Sequence, residues 1–321
     1  MTEHHTEFRA VESFNQPLLI VGLEQNLKDW ITWSLLRIGA WVNVTTGNAK
    51  TKGGANVSVL KQVPDPSYTN KTVFQSQRKD WIYESGINYV SPTGGTFNPL
   101  TAKVYVNDVE VTTSTSGKEH HINYPLGRVI FDSPQTQTVK AQYSYRSVQV
   151  YTYDETNWSM EVNYDTENST NQWLQTSINS GDYSLSSTNR MQLPAIVIES
   201  VAQGTSEPFE LGTLVARNKQ DVIFHVLAED RFTRNNLADI LRLQKGKTIV
   251  LYDMYKVHSL NYFPLDERGM LVNSLQYPDI VNNRDLIFRH AIIDDISITN
   301  IETKTPNLHW AVIRASIEII Y

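Results

Sequence analysis

Residues 101–153, TAKVYVNDVEVTTSTSGKEHHINYPLGRVIFDSPQTQTVKAQYSYRSVQVYTY, contain the clearest β-pattern in the chain. Residues 103–111 predict two short strands about an Asn107-Asp108 turn, because Asn and Asp tolerate the positive φ of a tight hairpin. A second turn at residues 124–128 leads into the next strand. The stretch therefore predicts a unit of short strands joined by tight turns.

The last strand of this stretch has one apolar and one polar face. Its alternate residues fall into two sets, Val139, Ala141, Tyr143 and Tyr145 against Lys140, Gln142, Ser144 and Arg146. Such alternation is typical of a strand with one buried face. At Ser147 the pattern slips by one residue, so that Val148 and Val150 fall on the formerly polar side. Because a one-residue slip exchanges the faces, we expect a bulge there or a partner that covers both faces.

Apolar residues recur at helical spacing over residues 22–37, and Gly39 is well placed to end that helix. Trp30 and Trp33 lie on different faces of the predicted helix. One of them can serve the core, so we expect the other to be exposed or to meet another subunit.

The second half of the chain predicts a mixture of strands and one further helix. Asp230 or Thr233 can cap this helix, which is expected to end near Gly246. The predicted strands cover residues 195–198, 221–228 and 248–252, followed by a C-terminal hairpin of strands 289–302 and 309–321.

These elements predict a β-rich α+β fold, with helices packed on a mainly antiparallel sheet. We expect a discontinuous α/β assembly domain made from residues 1–55 and 191–321. A β-sandwich-like insertion domain of residues 56–190 would lie between its two pieces.

Composition excludes several classes of site. The chain has 321 residues and no cysteine, so disulfides, thiolate nucleophiles and cysteine-based zinc sites are excluded. The net charge is −6, without the basic run that phosphate-driven binding of nucleic acid needs. The N-terminus does not resemble a signal peptide, and no window approaches the ~18 to 20 apolar residues of a membrane span.

Candidate catalytic or metal-binding residues are sparse. Asp294 and Asp295 are adjacent in a predicted strand, so their side chains should face opposite sides. His120 and His121 are adjacent rather than four residues apart on a helix, as are His4 and His5. The Gly53-Gly54 pair lacks the strand, helix and further glycines of a phosphate loop. We therefore expect that the protein has no catalytic residue, metal or cofactor, and that it is not an enzyme.

The β-pattern resembles a module common in virion proteins of tailed bacteriophages. That module has a strand, an Asn-Gly-like turn, a Gly-Arg-Val-x-Phe segment and a closing strand with Tyr-x-Tyr. Here the matching residues are 104–108, 122–131 and 139–145, with Asp108 where glycine is more usual. Further segments are similar to neck and tail proteins of contractile-tailed phages, namely 26–30, 38–44, 193–199, 209–212 and 224–228.

The resemblance implies a structural subunit of the phage neck, where head joins tail, or of the tail. Six or twelve copies would form a homo-oligomeric ring, and other neck or tail proteins would be partners. DNA would pass through the ring without sequence-specific binding, and no membrane would be involved. The protein would be made in the cytoplasm of the host bacterium and would reside in the virion.

Several segments and aromatic side chains are candidates for contacts between subunits. The N-terminal arm and residues 44–66 are expected to join neighbours, because segments loose alone can order on assembly. The candidate interface residues are Trp30, Trp33, Trp41, Tyr143, Tyr145, Tyr151 and Tyr153.

Two alternatives come from other classes of protein. The tyrosines Tyr143, Tyr145, Tyr151 and Tyr153 could instead form a sugar platform in a tail-tip or baseplate module that binds a receptor or glycan, although such a row more often packs across strands. A glycan hydrolase would need two carboxylates facing one cleft, and the sequence supplies no such pair.

Overall fold

A computed structural model describes residues 19–47, 57–65, 67–155, 192–208, 216–273, 275–306 and 308–320. The helices in these ranges are α1 (Val21–Arg37), α2 (Arg231–Arg242), α3 (Met254–Ser259) and α4 (Tyr277–Asn282). The strands are β1 (Trp41–Val44), β2 (Lys61–Val63), β3 (Thr72–Gln75), β4 (Tyr89–Val90), β5 (Thr96–Phe97), β6 (Lys103–Val106), β7 (Val109–Val111), β8 (His120–Asn123), β9 (Arg128–Phe131), β10 (Val139–Arg146), β11 (Gln149–Thr152), β12 (Ala195–Pro208), β13 (Ala216–Ala228), β14 (Thr248–Tyr252), β15 (Ile287–Thr305) and β16 (Leu308–Ile320). The prediction of a β-rich chain is confirmed.

Six strands form the largest sheet, which we call the main sheet. Their order is β11-β12-β13-β16-β15-β14, and only the β11–β12 pair among these neighbours is parallel. The predicted C-terminal hairpin is confirmed as β15 and β16, although β15 extends beyond both predicted ends.

Helices α1 and α2 share one hydrophobic cluster with the main sheet. The helical members are Leu23, Leu27, Ile31 and Leu35 of α1 and Leu237, Ala238 and Leu241 of α2. Gly39 has φ of +85° just beyond α1, which confirms its predicted role as the stop. Asp230 is the cap of α2, since its side chain accepts a hydrogen bond from the Thr233 backbone N–H at 2.8 Å.

Two four-stranded sheets, β1-β10-β6-β7 and β2-β3-β9-β8, form what we call the β module. Both sheets contribute to one hydrophobic cluster. At its centre the rings of Trp81 and Tyr143 stack with centroids 4.1 Å apart. Asn107 and Asp108 have φ of +51° and +64°, so the predicted tight hairpin turn between β6 and β7 is confirmed.

The chain changes sheets at Ser147, which explains the slip in the sequence pattern. Strand β10 ends at Arg146 inside the β module, and β11 pairs with β12 in the main sheet. Val148 and Val150 accordingly join the cluster beneath the main sheet. Of the two predicted alternatives, a bulge is therefore wrong, because each side of the slip belongs to a different sheet. Cover on both faces agrees with β11, whose residues are all buried or half-buried.

Two strands lie across the predicted domain limits. Strand β1 precedes residue 56 but pairs with β10 of the β module. Strand β11 precedes residue 191 but belongs to the main sheet. The division into two domains itself stays a prediction. The predicted N-terminal arm, Gly53-Gly54, residues 209–212 and most of residues 154–190 lie outside the described residues.

Replacement of Gly127 by alanine should destabilise the fold strongly. Gly127 has φ of +61°, and an added Cβ would collide with the Arg78 carbonyl oxygen and lie 2.8 Å from Trp81 Nε1. Left-handed backbone costs an L-residue about 1 to 2 kcal/mol. Overpacking adds about 1 to 3 kcal/mol. Urea unfolding of both proteins measures the sum.

The matched control for this substitution is Gly117→Ala. Gly117 also has positive φ, +72°, but a Cβ there meets nothing within 4 Å. It should lose only the backbone contribution of about 1 to 2 kcal/mol. Equal losses for the two variants would contradict the assigned close approach at Gly127.

Candidate functional site

The site that the fold assembles lies where the β module meets α2 and the main sheet. A cavity of about 230 Å³ opens there between the end of β10 and the start of α2. Its walls include Arg78, Arg146, Gln149, Gln192 and Asp230. We call this cavity the junction pocket.

Arg146 holds one wall of the junction pocket through two ion pairs, a buried one with Glu84 and a partly exposed one with Asp80. Its Nη1 donates to Asp80 Oδ1 at 2.6 Å and to the Trp81 carbonyl at 3.3 Å, while Nη2 donates to Glu84 Oε1. The side chains of Arg146 and Glu84 are only 6% and 8% exposed. A buried charge needs such partners, because removal from water costs several kcal/mol for each unpaired ion.

A second polar cluster attaches α1 to β14. Asn26 exchanges two hydrogen bonds with the backbone of Tyr252, at 2.8 and 3.1 Å. The Tyr252 hydroxyl donates to Asp29 Oδ2 at 2.5 Å, and Gln25 donates to Oδ1 at 3.0 Å. Burial raises the pKa of Asp29 above its usual value of 3.8, although the Tyr252 hydrogen bond opposes this shift.

The polar groups around the junction pocket are mostly engaged in packing. Arg78 lies over the Tyr145 ring, 5.2 Å from its centroid. The Asp230 carboxylate is occupied by the Thr233 backbone and hydroxyl. Gln192 donates to the Gln77 carbonyl and accepts from Lys79, which links the start of the second half of the chain to the β module. In the part of the chain described here, Nε of Arg78 and Nε of Arg146 are buried without a hydrogen-bond partner.

The candidate acid and histidine pairs do not converge. Asp294 contacts Lys219 at 2.6 Å and Asp295 contacts Lys245 at 2.7 Å, so the two carboxylates have separate partners as predicted. His120 is buried while His121 is exposed. The described ranges contain no group of three or more metal-binding side chains.

The predicted interface tryptophans lie against the interior of the chain. Trp30 packs on the cluster beneath the main sheet. Trp33 and Trp41 are half-buried against Leu36, Ile82 and Ile87. The expectation that one helical tryptophan is exposed is therefore wrong. A role for their remaining exposed surface in subunit contacts stays a prediction.

The predicted row of tyrosines is divided among different surroundings. Tyr143 is wholly buried and donates to the Val57 carbonyl at 3.0 Å, which corrects its predicted place at an interface. Tyr145 lies beneath Arg78, and Tyr151 packs against the buried cluster that contains Ala195 and Val197. Tyr145, Tyr151 and Tyr153 are half-buried. Without Tyr143 at the surface, the four residues do not form a continuous aromatic platform.

Sequence reasoning did not identify the buried charges. Arg146 appears simply as the last member of a polar face, and its partners precede it by more than sixty positions. The sequence feature that could have identified Arg146 is its position directly before Ser147, where the alternation of apolar and polar residues shifts by one. A charged residue at a change of faces lies where two parts of the fold meet.

Comparisons with protein-family models, curated proteins and solved structures give no significant match. Among the described helices, none has the length and apolar character needed to cross a membrane.

Replacement of Arg146 by leucine should cost about 3 to 5 kcal/mol, because Asp80 and Glu84 would lose their buried partner. Lys140→Leu on the same strand is the control. Lys140 pairs with the exposed Asp108, and loss of such a pair costs less than about 1 kcal/mol. Urea unfolding compares them.

A triple variant separates charge from shape at this position. Adding Asp80→Asn and Glu84→Gln to Arg146→Leu removes the uncompensated charges and should restore much of the lost stability. No recovery in the triple variant would show that packing of the Arg146 side chain, rather than its charge, is what matters.

Asp29 should give the chain a specific pH dependence. Because the folded state raises the pKa of Asp29, its contribution to stability is fully present below about 3.8 and declines as the pH rises through the raised pKa. Asp29→Asn lacks this titration. The unfolding free energy of the variant minus that of the parent should therefore increase with pH above about 4.

The contribution of Asp294 to stability should depend on pH with the opposite sign. The Lys219 hydrogen bond lowers the pKa of Asp294, so its contribution is present at higher pH and lost on acidification. Asp294→Asn should therefore lose stability relative to the parent as the pH rises. Denaturant unfolding between pH 3 and pH 8 would test both variants, and matching slopes would contradict the assignment.

Proposed function

We propose that this protein is a structural subunit of a tailed-phage virion, and that many copies form a ring around the DNA channel in the neck or tail. The fold proposed for this role is α+β, with helices on a mainly antiparallel sheet and the β module as a sandwich-like insertion. Other neck or tail proteins would bind the ring, and DNA would pass through it without sequence-specific contacts.

The observation that carries this proposal is the packing role of three residues of the phage-like pattern, Gly127, Arg128 and Phe131. Arg128 of the Gly-Arg-Val-x-Phe segment is buried and contacts Gln75 and Asp65 at 2.9 and 2.6 Å. Phe131 packs edge-to-face on Phe74, with centroids 5.8 Å apart. Gly127 admits the Arg78 carbonyl, so these residues form a framework rather than a reactive centre.

The connection between the two parts of the fold also supports a structural role. Strands β1 and β11 each lie across the predicted domain limits, and Arg146 at the end of β10 pairs with Asp80 and Glu84 just before the chain enters the main sheet. A subunit in which neighbouring parts share strands keeps its shape when a ring imposes a fixed geometry. The net charge of −6 would also disfavour adhesion of passing DNA.

Light scattering coupled to size-exclusion chromatography, followed by negative-stain imaging, tests the proposal. We expect closed rings of roughly six or twelve copies, as heterologous contacts that close would produce. The measurement should be repeated over a range of concentrations, because association depends on protein concentration.

Two results would contradict a ring-forming subunit. A monomer at all concentrations would remove the proposed self-assembly. A monomer that instead binds a defined sugar on a glycan array would favour the receptor-binding alternative at the tail tip or baseplate.

A further inference from the structure

We propose that neighbouring copies join by strand pairing between the free edge of β12 in one copy and the free edge of β15 in the next. This inference rests on the proposed ring and names the contact that builds it. The partner is a second copy of this chain, held by backbone hydrogen bonds across two edges of the main sheet.

Each outer strand of the main sheet covers only part of its neighbour. Strand β11 pairs with β12 at Ala195–Ile198 alone, although β12 continues to Pro208. Strand β14 pairs with β15 from Ile287 to Ile292, although β15 continues to Thr305. The backbone of Ile293 still bonds to Gly246 and Lys247, and the Ser200 N–H donates to Glu24. Within the described residues, the outer edges of β12 from Gly204 and of β15 from Asp295 lack a strand partner. Such an edge is a template for pairing with another chain.

The two free edges lie at diagonally opposite corners of the main sheet. Gly204 pairs across the strands with Gln220, Gln220 with Ile317, and Ile317 with Ile293. This row of paired residues lies at the end of the main sheet that β14 covers. Ala195 lies in one row with Leu227 and Trp310, which is the end that β11 covers. The free part of β12 therefore lies at the first end and that of β15 at the second. Two different patches on opposite sides are what a head-to-tail contact requires.

The strand directions suit an antiparallel ladder between copies. Strands β12, β13, β16 and β15 are antiparallel at every step, so β12 and β15 run in opposite directions. When a second copy lies beside the first in the same orientation, β12 of the second copy runs antiparallel to β15 of the first. The ladder of the main sheet then continues from one copy into the next.

Irregularities divide each free edge into short regular stretches. In β12 the register is broken between Ser200 and Gly204, and Pro208 has no N–H to donate. In β15 the register is broken at Ile293/Asp295 and at Ile298/Asn300. Bulges of this kind limit how far an edge can pair. The regular stretches, residues 204–207 and 295–298, each span four positions and match in length.

A neighbouring stretch of β15 is less available. The Glu302 carbonyl already accepts from Arg234 Nη1 at 3.0 Å, so that part of the edge is partly occupied. Residues 295–298 are therefore the better match, with Thr205 opposite Ser297 in the antiparallel register. Both side chains are exposed in the single chain.

The pairing needs a modest offset along the strands. From the rows of the main sheet, residues 204–207 and 295–298 are displaced by four positions, or roughly 13 Å at ~3.3 Å per residue. A tilt of the strands relative to the ring axis supplies such an offset, as it does when a sheet closes into a barrel.

Cysteine cross-linking tests the contact directly, because the full chain has no cysteine of its own. The double variant Thr205→Cys/Ser297→Cys would be treated with a short bismaleimide at concentrations where rings form. We expect a ladder of cross-linked species on a denaturing gel, ending at the copy number of the ring. Residues held together react at millimolar effective concentration, so cross-linking should exceed the control by roughly 100-fold.

The control pair is Thr205→Cys/Ser114→Cys, in which Ser114 is also exposed but lies in the β module. Each single-cysteine variant is treated in the same way. Cross-linking of Thr205→Cys or of Ser297→Cys with itself would overturn the head-to-tail pairing and indicate a two-fold contact between like edges.

Light scattering on the same samples separates the two proposals. If rings form but the double variant gives no cross-links, the edge contact is overturned and the ring proposal stands. Equal cross-linking of the double variant and the control pair leads to the same conclusion. A chain that stays monomeric and uncross-linked would overturn both the ring and the edge contact.

Discussion

The ion pairs of Arg146 with Asp80 and Glu84 are the central electrostatic constraint within the β module. Arg146 is the last residue of β10, and Trp41 of β1 is its partner across the ladder. Two residues later the chain enters the core of the main sheet. The cost of burying the charges of Arg146 and Glu84 is offset only while the end of β10 and the segment 80–84 stay together. The β module is joined to the segment before β12 by the Gln192 amide, which bonds to Gln77 and Lys79.

This constraint also accounts for the character of the junction pocket. The pocket lies beside Arg146, and its walls come from the β module, from the segment around Gln192 and from the start of α2. The Arg146–Asp80 ion pair lies within the β module and the Asp230 cap lies within α2, while the Gln192 amide joins the segment before β12 to the β module. The main sheet, in contrast, leaves parts of two edges uncovered within the described residues. In the proposed ring, these edges would be the surfaces for assembly.

Local patterns in the sequence predicted much of the fold, because local chemistry determines them. The Asn107-Asp108 turn, the stop at Gly39 and the C-terminal hairpin each depend on a few adjacent residues. The partners of β1 and β11 were not predicted, because alternation indicates a strand and its faces but not its neighbour. For the same reason Tyr143 was assigned to a face, but its depth in the core became apparent only from the packing of Trp81 against it. The Arg146 site required residues more than sixty positions apart, which no local pattern connects.

The packing of α1 has a consequence for how the chain is made on the ribosome. Leu23 and Leu27 are synthesised before other members of their hydrophobic cluster, which include Ile196 and Ile313. At ~5 to 20 residues per second, the last of these follows Leu27 by roughly 15 to 60 s. During that interval only part of the native surface for the apolar side of α1, such as Val148 and Val150, has been made. Completion of the main core must therefore wait until the residues around Ile313 have been made, and the nascent chain can expose part of this apolar surface until then.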